Sequence, residues 1–219
     1  MNSTAPAGDP VRQWVTLLSP IVVVGVGMAS QHAFGHLLGA WSWVPTMAIF
    51  WCSVAGVVVW ARPPQSIRSW LARPQRGWMW SLIAVGMGFA SVHVMSGWRT
   101  LLSSAVFVPW LVVGLVNPWL EESYWRGALI DAAGRWKMLG VVCSAMAFAA
   151  SHPLIWGVHS IALRSPAAMV GLVVAGTVWG VAYWRSGSLR WTIVGHGCAH
   201  LLGLSVPVLL NLYLPAWAR

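Results

Sequence analysis

The charged residues of this chain are so few and so unevenly spaced that most of its length must lie in an apolar environment. The 219 residues are 58% hydrophobic and 8% charged, against about 25% charged in a typical soluble domain. Marking every Asp, Glu, Lys and Arg leaves six long charge-free runs, namely 13–61, 77–98, 100–120, 138–163, 165–184 and 191–218. About 20 apolar residues span a bilayer as a helix, and the first run is long enough for two spans. The sequence therefore predicts an all-α, polytopic transmembrane helical bundle of about seven helices.

The basic residues predict how this bundle sits in the membrane. With a cytoplasmic N-terminus and alternating spans, the cytoplasmic segments hold nine basic residues: Arg12, Arg62, Arg68, Arg73, Arg76, Arg135, Lys137, Arg185 and Arg190. The outer segments hold only Arg99, Arg164 and Arg219. This bias follows the positive-inside rule, so the net charge of +9 indicates topology rather than binding to nucleic acid. The sequence predicts one integral membrane domain over 1–219, with a short polar cytoplasmic tail at 1–12 and the lipid bilayer as its surroundings.

Two adjacent glutamates, Glu121 and Glu122, stand at the end of a charge-free run, inside a predicted span. The chain has only four acidic residues, and an ionised carboxylate in hydrocarbon costs several kcal/mol unless it has a partner or faces a polar cavity. A regular helix advances about 100° per residue, which predicts an ion pair between Glu122 and Arg126, four residues apart. Glu121 then points to another face and is available for other partners.

Histidines on two later spans fall at a similar predicted depth. His152 belongs to the fifth span, and His196 and His200 share one face of the seventh because they are four residues apart. A carboxylate and three imidazoles in a water-filled pocket suit hydrolysis, since such groups accept a proton from water and donate to a developing oxyanion. The same four side chains also predict a possible zinc site. His93 is a weaker candidate for lining the pocket.

The three motifs resemble those of the CPBP family, the Abi, CAAX protease and bacteriocin-processing intramembrane proteases. They read Glu121-Glu122…Arg126-Gly127, Phe148…His152 and His196…His200, and the similarity covers about 101–202, which is expected to be the catalytic-motif core. The resemblance implies that Glu121 activates water with His152 as its partner, and that Arg126 holds the glutamates. It also implies that His196 and the residue four positions later stabilise the oxyanion. At that later position His200 replaces the usual Asn or Asp.

The resemblance predicts an intramembrane endopeptidase that hydrolyses a membrane-associated protein or peptide, through either a glutamic or a metal-dependent mechanism. A bacterial cytoplasmic membrane is the expected location, since twelve arginines to one lysine fits a GC-rich genome. Three alternatives stay open from the sequence. They are a proton-coupled transporter, a membrane haem protein with histidine ligands, and an inactive family member that acts as a binding or immunity scaffold. The eighteen tryptophans cluster near predicted span ends, where most are expected to be interfacial anchors.

Overall fold

The computed structural model describes residues 9–74, 77–90, 92 and 105–215. All regular elements in that part of the chain are helical, which confirms the predicted all-α class. The longer helices are α1 (Pro10–Leu38), α2 (Trp43–Ala61), α3 (Pro64–Trp70), α4 (Trp78–Phe89) and α5 (Phe107–Glu121). A π-helical segment, Glu122–Ala128, leads from α5 into α6 (Leu129–Ala132). The remaining helices are α7 (Lys137–Ile155), α8 (Pro166–Ser186), α9 (Arg190–Leu202) and α10 (Ser205–Leu209).

Three segments of the described residues are long and apolar enough to cross a membrane: Pro10–Ala61, Lys137–Val158 and Pro166–Ser186. The first has 52 residues and contains both α1 and α2, which are separated by the short 3-10 turn Gly39–Ser42 and pack against each other. Because about 20 residues suffice for one crossing, this segment is long enough for two. The protein is therefore a membrane protein with several apolar helices, while the full number of seven spans stays a prediction.

The helix that carries the glutamates continues past them, as expected from the lack of a helix breaker, but it is not a regular α-helix. From Glu122 to Ala128 it is π-helical, and the Leu129 N–H bonds to the carbonyl of Tyr124, five residues back. The 100° geometry used in the sequence analysis is therefore wrong for this turn. Neighbouring helices hold the wider turn in place: the Ser144 hydroxyl donates to the Trp125 carbonyl, and the hydroxyls of Tyr124 and Ser19 lie 2.8 Å apart.

The last predicted span, about 191–214, is also interrupted. Helix α9 ends at Leu202, Gly203 caps it, and Leu204 adopts a left-handed conformation with φ of 55° before α10 begins. That conformation is costly for a residue other than glycine. The Leu204 side chain is completely buried, so packing of this side chain stabilises the break. The result is a bend in the chain one turn beyond His200.

Two glycines allow α4 and α9 to touch through their backbones. A Cβ atom on Gly88 would lie 1.9 Å from the Gly195 carbonyl oxygen, and one on Gly195 would lie 2.1 Å from the carbonyl oxygen of Ala84. The Trp179 indole N–H of α8 donates to the same Ala84 oxygen at 3.0 Å. Because His196 follows Gly195 directly, this close crossing fixes where the His196 ring lies.

Substitution of Gly88 by alanine is expected to destabilise the protein, although alanine is intrinsically the better helix former by about 1 kcal/mol. The methyl group has no room, and forcing α4 and α9 apart costs about 1–3 kcal/mol, as overpacking usually does. Gly86→Ala is the matched control, since a Cβ there meets nothing within 4 Å. Thermal unfolding of the purified variants in detergent should show a lowered Tm for Gly88→Ala only. Equal Tm values for the two variants would contradict the close crossing.

Candidate active site

A cavity of about 570 Å³ lies between helices of the bundle. Its wall contains side chains from all three sequence motifs, namely Glu121, His152, His196 and His200. Most of the other lining residues are apolar, among them Met47, Trp156, Leu172 and Leu209. The structure therefore places one carboxylate and three imidazoles on the surface of a single, largely apolar cavity.

Glu122 and Arg126 form the buried ion pair that their spacing predicts. The Arg126 Nη1 atom lies 3.1 Å from Glu122 Oε1, and neither side chain has any exposed surface. The guanidinium group also lies over the Phe148 ring, with its central carbon 4.3 Å from the ring centroid. Removing two charges from water is costly, and only good geometry and added contacts compensate for it. Here the second carboxylate contact is His196, whose Nδ1–H donates to Glu122 Oε1 at 2.8 Å.

The His196 ring lies between the two glutamates. While Nδ1 is bonded to Glu122, Nε2 is directed at Glu121 Oε2 at 3.6 Å, which is longer than a hydrogen bond. The Glu121 Oε2 atom is buried and has no hydrogen-bond partner among the described residues. Glu122 is the acid that pairs with Arg126, as expected, and both acids lie beside the same imidazole. The uncommitted oxygen leaves Glu121 able to accept a proton from a molecule in the cavity.

Aromatic rings hold His196 from both faces. Trp179 stacks on one side with ring centroids 4.6 Å apart and a 21° interplanar angle, and His200 stacks on the other at 4.8 Å and 17°. The Phe148 ring lies perpendicular to the same imidazole, with ring centroids 5.9 Å apart. This packing leaves the imidazole little freedom to rotate, so the direction of its Nε2 atom is fixed by the fold.

His152 has a defined tautomer. Its Nδ1 atom lies 2.8 Å from the Phe148 carbonyl oxygen, one helical turn earlier. A carbonyl oxygen can only accept, so Nδ1 carries the proton and donates. The Nε2 atom of the neutral ring then keeps its lone pair. His152 can therefore accept a proton or orient a water molecule through Nε2.

Three of the four predicted metal ligands come close together. Ligand atoms of Glu121, His196 and His200 all lie within 4.8 Å of one another, and three such ligands match the number and type found in catalytic zinc sites. His152, predicted as the fourth ligand, is not part of this group. Its ring instead sits one turn above Phe148, to whose backbone it is bonded.

Three residues of the site were missed in the sequence analysis: Asn117 and Trp179, which line the cavity, and Trp51, which donates a hydrogen bond to Asn117. Asn117 is the only amide side chain in the charge-free run 100–120, and its position one helical turn before Glu121 was the signal available. The two tryptophans carried no such signal, because they lie in the middle of α2 and α8 rather than at the membrane interface.

The other histidines do not join this cluster within the described part of the chain. The exposed His32 donates from Nδ1 to the Met28 carbonyl at 3.0 Å. His159 packs against Gly35 on α1. His93, suggested as a further lining residue, lies outside the described residues.

Comparison with known proteins agrees with the motifs. Residues 103–202 match the family model described as type II CAAX prenyl endopeptidase Rce1-like. This stretch is similar to the CAAX protease family. The match covers 100 of 219 residues and includes all three motifs, so the resemblance drawn from the sequence is confirmed. No curated protein and no solved structure matches the chain significantly. Similarity to this Rce1-like family supports a CAAX-protease-like peptidase of membranes.

Proposed function

We propose that the chain is an intramembrane endopeptidase in which Glu121 and His152 activate a water molecule in the cavity. The observation that carries this proposal is the buried Glu121 Oε2 atom, which has no hydrogen-bond partner among the described residues and belongs to a residue that lines the same cavity as His152. An unpaired buried carboxylate oxygen is costly, so its persistence favours a role in binding or proton transfer.

In the proposed reaction, Glu121 takes a proton from water while the water oxygen attacks the carbonyl carbon of the scissile peptide bond. His152, with its Nε2 lone pair free, orients the water. The carbonyl oxygen becomes an oxyanion and accepts a hydrogen bond from the His200 imidazole, while His196, whose Nδ1–H is bonded to Glu122, stacks on the His200 ring and holds it in place. The proton held by Glu121 then passes to the leaving nitrogen as the C–N bond breaks. Glu122 and Arg126 take no part in the proton transfers and hold His196 in place.

The proposed substrate is a membrane-associated protein or peptide, since the cavity wall is mostly apolar and the surrounding helices are suited to lipid. The proposed location is a bacterial cytoplasmic membrane, in line with the twelve arginines to one lysine. The N-terminus is proposed to lie in the cytoplasm because of the positive-inside charge bias. The whole chain, 1–219, is proposed to form one membrane domain with the catalytic motifs in 101–202.

The test compares peptide ends in membranes from cells that express wild type, Glu121→Gln or Asp9→Asn at matched levels. Asp9→Asn is the control, because Asp9 is exposed and caps the start of α1, and asparagine caps equally well. New peptide ends should appear with wild type and Asp9→Asn and be absent with Glu121→Gln. Identical ends in all three would refute peptidase activity, and pH-driven ion flux or retained partner binding would then favour the transporter or the scaffold.

A further inference from the structure

A chain of hydrogen bonds runs from α2 through α5 to His200 on α9. The Trp51 indole N–H donates to Asn117 Oδ1 at 2.7 Å, and the Asn117 amide nitrogen lies 3.0 Å from His200 Nε2. Asn117 is buried, with 2% of its surface exposed. The three side chains come from separate helices that meet at the cavity.

The hydrogen bond from Trp51 fixes the direction of the bond between Asn117 and His200. An indole N–H can donate but cannot accept, so the Asn117 atom that faces Trp51 must be its oxygen. The amide NH₂ of Asn117 is therefore turned towards His200, where it donates. His200 Nε2 accepts this bond with its lone pair, and a neutral imidazole that accepts at Nε2 carries its proton at Nδ1.

We infer that Trp51 and Asn117 are positioning residues that hold His200 as a neutral imidazole with its proton on Nδ1. The His200 Nδ1 atom is buried and has no hydrogen-bond partner among the described residues. A buried donor without an acceptor costs about 1–3 kcal/mol, so an oxygen atom that reaches this nitrogen gains a hydrogen bond. His200 is thereby an N–H donor at the position where the family usually has Asn or Asp.

This arrangement does not fit a zinc ion bound by Glu121, His196 and His200. A histidine ligand needs a free lone pair; here the Nε2 lone pair accepts from Asn117, and Nδ1 holds the proton. The donor role in cleavage rests on the proposed function, whereas the proton position and the exclusion of His200 as a ligand follow from the hydrogen bonds alone.

The direct test is the two-bond ¹⁵N–¹H correlation spectrum of the full-length protein labelled at histidine nitrogen, in detergent. His200→Gln assigns the signals of His200 among the seven histidines. The wild-type protein should show His200 protonated at Nδ1, and added zinc chloride should leave its two ring nitrogens unshifted. A proton on Nε2, or a zinc-dependent shift of the His200 nitrogens, would overturn the inference.

Asn117→Asp keeps the shape of the side chain but presents only acceptor oxygens to His200. The proton of His200 should then move to Nε2 in the spectrum. Trp51→Phe frees the Asn117 amide to turn over and should give a mixture of the two tautomers, while Trp78→Phe, at a tryptophan with 69% exposure, should match wild type. The two positioning variants change different helices, so a folding defect in one leaves the other informative. An unchanged His200 spectrum in the folded variants would refute the role of the Trp51–Asn117–His200 hydrogen bonds.

Peptide cleavage separates this inference from the proposed function. If His200 donates to the oxyanion, Asn117→Asp should lower kcat by about 10²–10³-fold, as loss of one oxyanion donor does, with KM little changed. Normal kcat in Asn117→Asp with the proton moved to Nε2 would refute the donor role. No cleavage by wild type, with the His200 proton on Nδ1 as expected, would refute the proposed function but not the positioning of His200 by Trp51 and Asn117.

Discussion

The substitutions Glu121→Gln and His152→Gln are each expected to slow peptide cleavage by about 10²–10⁴-fold, the usual contribution of general acid–base catalysis. The double variant Glu121→Gln/His152→Gln should be scarcely slower than either single variant. The reason is that in the proposed mechanism both side chains act on the same water molecule, and residues that act as one unit show strongly non-additive losses.

Single-turnover rates on a peptide that spans the identified cleavage site would measure these losses. His32→Gln is the matched control for His152→Gln, since His32 makes the same Nδ1 bond to a backbone carbonyl four residues earlier but is exposed. Losses that multiply in the double variant would show that Glu121 and His152 serve different steps, and would contradict their joint activation of water.

Arg126→Met is expected to lower the free energy of unfolding by about 3–5 kcal/mol, because breaking a buried pair leaves an uncompensated charge. Glu122 would keep its bond to His196 but lose its arginine partner in a place with no exposed surface. The double variant Arg126→Met/Glu122→Met should recover part of this loss, since a well-packed apolar pair can replace a buried ion pair.

Unfolding of the purified variants in detergent would measure these changes. Arg190→Met serves as the control, because Arg190 is exposed at the start of α9, and it should unfold like wild type. A double variant that is less stable than Arg126→Met would show that Glu122 stabilises the fold chiefly through His196 rather than through the arginine.

The sequence was most informative about where helices run and least informative about how they meet. The charge-free runs predicted α2 as about 43–61 and α7 as about 138–156, close to Trp43–Ala61 and Lys137–Ile155 in the structure. Such bounds depend on local apolar character, which every residue of a span contributes. The π-helical turn and the break at Leu204 depend on contacts with other helices, which a single sequence does not show.

In the candidate site, too, contacts within one helix were predictable from the sequence and contacts between helices were not. The pairing of Glu122 with Arg126 followed from spacing along one helix. The contact of His196 with both glutamates, and the stacking of Trp179 on its ring, involve helices far apart in sequence. The interpretation of tryptophans as interfacial anchors gave no reason to expect Trp179 in the cavity wall or Trp51 bonded to Asn117.

The bond between Trp51 and Asn117 also bears on how a substrate reaches the cavity. A polypeptide that entered by parting α2 from α5 would separate these two side chains and release the Asn117 amide. His200 would then lose its fixed tautomer at the moment when the scissile bond arrives. Productive entry is therefore expected through another part of the cavity wall, with the seam between α2 and α5 kept closed throughout a turnover.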